Sequence, residues 1–130
     1  MSRLRLDLDH DPASAPVARR GVVAFLRETW PDFTEEPDGS DLLDDVALVV
    51  SELVGNAVRH GRPPVHVEVE AVDGDGRHRV LLYCHDAGPW DGTPPREDGG
   101  RGFVLVRGIA AEVRIDADRT RTVVGATLVR

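Results

Sequence analysis

The sequence predicts an α+β fold: a two-layer α/β sandwich with a mainly antiparallel mixed sheet and helices on one face. Three observations carry that expectation. Short segments alternate apolar and polar residues with a period of two, as strands with one buried face do. Two longer segments repeat with the 3.6-residue period of a helix. Stretches rich in Gly, Pro and Asp separate them. A length of 130 residues suits one core, so a single domain over residues 1–130 is expected and a two-domain enzyme is not.

The elements follow in order. Leu4, Leu6 and Leu8 alternate with Arg3, Arg5 and Asp7, a strand with one buried face. Ser14 is positioned to cap a helix that admits Pro16 in its first turn. Val17, Ala18, Val22, Ala24, Phe25 and Leu26 give that helix its apolar side until Trp30-Pro31 stops it. Asp32 to Ser40, with Pro37, Gly39 and several acids, reads as a loop. From Asp41 to His60, residues Leu42, Leu43, Val46, Val49, Val50, Leu53 and Ala57 fall on one arc, which marks the central core helix. Gly61-Arg62-Pro63-Pro64 ends it.

Val65, Val67 and Val69 alternate with His66, Glu68 and Glu70 as a strand, and Asp73-Gly74-Asp75-Gly76 supplies hairpin chemistry. A partner strand at about His78 to His85 must return beside it. Asp86 to Gly102 is an aperiodic Gly- and Pro-bearing loop. Phe103 to Ala111 reads as a short helix. Val113 to Ala117 and Thr122 to Leu128 read as the last two strands.

Composition then excludes function classes. Sixteen basic residues against 23 acidic ones give a net charge of −7, a sign that repels nucleic-acid backbones. No apolar run approaches the roughly 20 residues that cross a bilayer, so a cytoplasmic protein is expected. The lone Cys84 lies in the apolar run Val80-Leu81-Leu82-Tyr83-Cys84 and reads as a small core hydrophobe. Cys84 and His85 point to opposite faces of one strand, which argues against a metal held by both together with His78. The polar outer side of the first strand is a sheet surface open to a second copy of the chain.

Glu52 and Asn56 stand four apart on one side of the central helix, at the edge of its apolar arc. Such a pair is either a solvated helix face or the wall of a cleft. Asp86 continues the buried face of Val80, Leu82 and Cys84, placing a carboxylate on the helix side of the sheet. There it either finds a partner or caps the following loop. Thr122 falls on the same side of its own strand, and an acceptor and a hydroxyl together suit the donor edge of a purine. Gly99-Gly100-Arg101-Gly102 before a helix suits an anion, or is simply a surface turn.

The motifs carry a resemblance. Ser51-Glu52-Leu53-Val54-Gly55-Asn56-Ala57-Val58-Arg59-His60-Gly61 resembles the N box of the GHKL ATPase superfamily. Asp86-Ala87-Gly88-Pro89 resembles its first glycine box, and Gly99-Gly100-Arg101-Gly102-Phe103-Val104-Leu105-Val106 its second. The small anti-sigma-factor serine kinase-like proteins are the most similar type, and the likeness extends to Ala18-Arg19-Arg20 and Thr122. The sequence departs from the pattern at Trp90, where a fuller first box has a second glycine. It departs again in the short lid containing Pro94-Pro95.

The resemblance implies the histidine kinase-like ATPase fold, ATP as ligand and Mg²⁺ as its metal. Asn56 would ligate Mg²⁺, and Glu52 would act as catalytic base on the attacking hydroxyl. Asp86 would accept a hydrogen bond from the adenine amine, with Gly88 letting the ring approach and Thr122 supporting the contact. Arg59, Gly100, Arg101 and Gly102 would serve the phosphates. It further implies a serine-protein kinase that sequesters a sigma factor and is released by an anti-anti-sigma partner it phosphorylates. The alternative is a nucleotide-regulated binding module with little transferase activity.

Overall fold

The computed structural model describes residues 1–89 and 101–130, with the backbone alone at 101–103. Its elements are β1 (Ser2–Leu8), α1 (Ser14–Thr29), a 3₁₀ turn (Phe33–Glu35), α2 (Pro37–His60), β2 (Val65–Gly74), β3 (Arg77–Asp86), α3 (Arg101–Ile109), β4 (Glu112–Ala117) and β5 (Thr122–Val129). The five strands form one sheet in the order β1-β2-β3-β5-β4. All four pairings are antiparallel. α1 and α2 pack against each other and against one face of the sheet, while α3 packs on α2. This is the α+β two-layer arrangement that the alternation predicts.

The alternation decides which face is covered. Val65, Val67, Val69 and Ala71 of β2, with Val80, Leu82 and Cys84 of β3, are buried under the helices. Val22 and Leu26 from α1, and Val46, Val49, Val50 and Val54 from α2, close the same core. Each buried Val or Leu side chain contributes about 1.5–3 kcal/mol by leaving water, so the two layers are held mainly by this apolar seam. The β2–β3 hairpin turns at Asp75 (φ 54°) and Gly76 (φ 72°), the two positive φ angles of a type I′ turn.

Three local expectations are corrected. Residues 32–40 are not a loop: a 3₁₀ turn precedes α2, which starts at Pro37 instead of Asp41. Proline is at home there, because the first helical N–H has no partner to lose. Gly39 is needed in that first turn, since a Cβ would overlap the Phe33 carbonyl oxygen.

Ser14 does not cap α1. Its hydroxyl donates to the Asp9 carbonyl at 2.6 Å, and the Asp11 carboxylate takes the N–H of Ala13 at 2.7 Å. The short helix begins at Arg101 instead of Phe103, so Arg101 and Gly102 lie within its first turn and not ahead of it.

Candidate functional site

An open cleft lies between the C-terminal half of α2 and the sheet. Cys84 and Val124, register partners on β3 and β5, form its floor. Leu53, Asn56, Ala57, His60 and Gly61 form the helix wall, and Asp86, Pro89 and Thr122 close the far end. The wall exists because α2 changes character along its length. Leu53 and Ala57 are buried in the core, while Asn56 stands half-buried at the margin.

Asp86 ends β3 on the covered side, as the alternation requires, and its Oδ1 accepts the Gly88 N–H at 2.7 Å and the Arg62 N–H at 3.4 Å. Among the described residues Oδ2 accepts no hydrogen bond, and Asp86 lines the cleft. Partial burial raises its pKa above the ordinary carboxylate value. The two backbone N–H groups, and more weakly His10, pull the other way. A half-desolvated carboxylate of this kind strengthens any donor that reaches it.

Thr122 is buried, and its hydroxyl donates to the Gly88 carbonyl at 2.8 Å. That proton is committed to the loop, so Thr122 offers the cleft only acceptor lone pairs. Cys84 donates its S–H to the Leu53 carbonyl at 3.6 Å. Burial, then the nearby Asp86 charge, push its thiol up to about 12, so it stays neutral and serves as floor.

Of the residues singled out from the sequence, the structure brings Asn56, Asp86 and Thr122 to one cleft, with Gly88 hydrogen-bonded to both Asp86 and Thr122. Glu52 is half-buried one turn earlier on α2 and does not line it. Arg59 is exposed, and its guanidinium lies back over Gly55, 3.1 Å from where a Cβ there would sit. Arg101 and Gly102 open α3. Gly100 lies outside the described residues, as do Trp90 and Pro94-Pro95 where the sequence departs from the motif. Arg19 Nη1 reaches Ser51 Oγ at 3.4 Å and joins α1 to the start of the α2 motif.

Sequence reasoning gave Gly61 no role at the site, reading it as a helix stop and the last residue of the N box-like segment. A Cβ there would sit 2.6 Å from both Asp86 Oδ1 and the Ala57 carbonyl oxygen, and one on Gly88 would sit 2.9 Å from Asp86 Oδ1. Two glycines therefore leave the space into which the carboxylate fits. The signal was present, since Gly61 closes the α2 motif, but nothing local linked it to residue 86.

The Asn56 amide is engaged by no hydrogen bond among the described residues. As a hard oxygen donor free at the cleft wall, it fits a hard divalent cation. No helix among the described residues is long and apolar enough to cross a membrane.

Residues 8–128 match the family described as histidine kinase-like ATPase domain. Among solved structures, the chain is similar to the RsbU and RsbW domains of Rv1364c from Mycobacterium tuberculosis, at 27% identity and a TM-score of 0.63. That match covers 100% of this chain and 33% of the other. It also resembles the histidine kinase domain of the EL346 blue-light activated histidine kinase from Erythrobacter litoralis, at 19% identity and a TM-score of 0.51. Here 88% of this chain and 60% of the other are covered, and the likeness is one of fold. The chain thus spans about a third of the length of the mycobacterial structure. No curated protein matches it.

Proposed function

The chain belongs to the histidine kinase-like ATPase domain family, and we propose that it is a cytoplasmic ATP-binding regulator of the anti-sigma-factor type, with residues 1–130 forming one ATP-binding domain. In this reading it binds ATP with Mg²⁺ and phosphorylates a serine of an anti-anti-sigma partner. The observation that carries the nucleotide part is the convergence of Asn56, Asp86 and Thr122 on one cleft, with Gly88 held by the last two. The partner-switching part is supported by the likeness to the RsbU and RsbW domains of Rv1364c.

Asp86 Oδ2 accepts the exocyclic amine of adenine, while its Oδ1 keeps the Gly88 turn in place so that the ring lies flat against backbone without a side chain. Thr122 holds that turn from the other side. Asn56 holds Mg²⁺ through its amide oxygen, and the ion supplies charge neutralisation at the phosphates when bound. Arg101 and Gly102 serve the phosphates from the start of α3, where backbone N–H groups and the helix dipole favour anions, and Gly100, outside the described residues, serves them with its own N–H. Arg59 swings off Gly55 to add positive charge. Glu52 takes the proton of the attacking serine hydroxyl.

A second reading, a nucleotide-regulated binding module with little or no kinase activity, is favoured by the position of Glu52 outside the residues lining the cleft. Calorimetry with ATP in the presence and absence of Mg²⁺ tests the shared core of both, and absence of binding removes both. Transfer of labelled γ-phosphate to a cognate anti-anti-sigma protein, lost in Glu52→Gln, supports the kinase. Tight ATP binding with no transfer to that partner supports the module.

A further inference from the structure

The sheet face turned away from the helices carries a cluster that the nucleotide reading leaves unused. His66 and Glu68 are two apart on β2, so both point outward, and His85 on β3 is the register partner of His66. The two imidazoles stack with centroids 4.0 Å apart and planes 12° from parallel. Glu68 Oε1 lies 3.0 Å from His66 Nε2 and 3.3 Å from His85 Nε2. One ligand atom from each residue falls within 4.8 Å of the other two.

We propose that His66, Glu68 and His85 form a binding site for a borderline first-row divalent cation of the Zn²⁺ class, bridging β2 and β3. Two neutral imidazole nitrogens and one carboxylate oxygen are the donor set such ions prefer, and they suit Mg²⁺ poorly. Bonds of about 2.0–2.2 Å in a tetrahedral site put neighbouring ligand atoms roughly 3.3–3.5 Å apart. The nitrogen-to-oxygen separations of 3.0 and 3.3 Å are already at or just inside that value, so an ion enters this corner with only small side-chain rotation.

The surroundings favour this use over a simple charge ladder. Arg5 is the register partner of Glu68, yet its guanidinium is turned to Asp7, with Nη2 3.1 Å from Oδ1. The carboxylate is thereby left to the two histidines. The histidines are half-buried while Glu68 is more exposed, so the fourth position opens to solvent or to a partner side chain.

The test is a Zn²⁺ titration of the full chain, free of nucleotide, phosphate and chelator, followed by calorimetry and thermal unfolding. One equivalent should bind and raise Tm. Loss of an outer-shell partner alone costs metal sites about 10–100-fold, so His66→Ala, His85→Ala and Glu68→Gln should each weaken binding at least about tenfold. Asn56→Ala should leave it unchanged, which separates this site from the nucleotide cleft. In the unmodified chain, imidazole ¹⁵N spectra should show the Nε2 signals of both histidines moving together. Absence of Zn²⁺ binding overturns the proposal, as does binding that the three substitutions leave intact or spectra in which neither ring responds.

Discussion

Asp86 and Thr122 are register partners across β3 and β5, and they grip the same loop residue from opposite ends. Asp86 Oδ1 accepts the N–H of Gly88 at 2.7 Å, while Thr122 Oγ1 donates to its carbonyl at 2.8 Å. The turn after β3 is thus fixed by two side chains whose positions the sheet sets. Any ligand lying on Gly88 meets a backbone that need not reorganise to receive it.

Thr122→Val keeps the shape of the side chain and deletes the donor. The Gly88 carbonyl then loses its partner, at a cost of about 1–3 kcal/mol. Urea unfolding should show that loss, and ATP affinity should fall with it. A variant as stable as the parent would mean that the Thr122–Gly88 bond holds nothing.

Asp86→Asn separates recognition from stability. Loss of a charge-assisted hydrogen bond to the adenine amine, about 1.5–3 kcal/mol, corresponds to roughly 10–100-fold in Kd for ATP, and preference over GTP should vanish. The raised pKa of Asp86 means that the folded state disfavours the ionised form. Stability is therefore lost as pH rises from the ordinary carboxylate value through the raised one, and the penalty persists at neutral pH. The asparagine carries no such penalty, so its Tm at pH 7 should match or exceed the parent's, with the difference shrinking in acid.

Asn56→Ala should weaken chiefly the metal-dependent part of nucleotide binding. In calorimetry, Mg²⁺ should tighten ATP binding by the parent and change it little in the variant. Equal enhancement by Mg²⁺ in both would remove Asn56 as a ligand.

Gly61→Ala puts a methyl group 2.6 Å from Asp86 Oδ1 and from the Ala57 carbonyl oxygen, whereas one on Gly74 meets nothing within 4 Å. Overpacking of this kind costs about 1–3 kcal/mol. Gly61→Ala should lower both unfolding free energy and ATP affinity, and Gly74→Ala should leave ATP affinity unchanged.

Much of the layer order was legible because burial has a period. Val65, Val67 and Val69, or Leu42, Val46, Val49 and Leu53, announce their element and its covered face in the residues themselves. The start of α2 was not legible. Pro37 and Gly39 are turn residues by local preference, and that Gly39 lies close under the Phe33 carbonyl in the first turn of a helix is seen only in the folded chain. Ser14 likewise has the chemistry of a cap, but the Asp9 carbonyl claims its hydroxyl.

The site divides along the same line. That Asp86 and Thr122 face the helices, and that Asn56 stands at the margin of α2, follows from alternation and helical period, which act over a few residues. That Gly61 leaves room for the Asp86 carboxylate, and that Arg5 turns to Asp7 and leaves Glu68 to two histidines, was settled only when the strands paired in register. Periodicity sets the direction of each side chain, but distances between residues remote in the chain come from how the layers close.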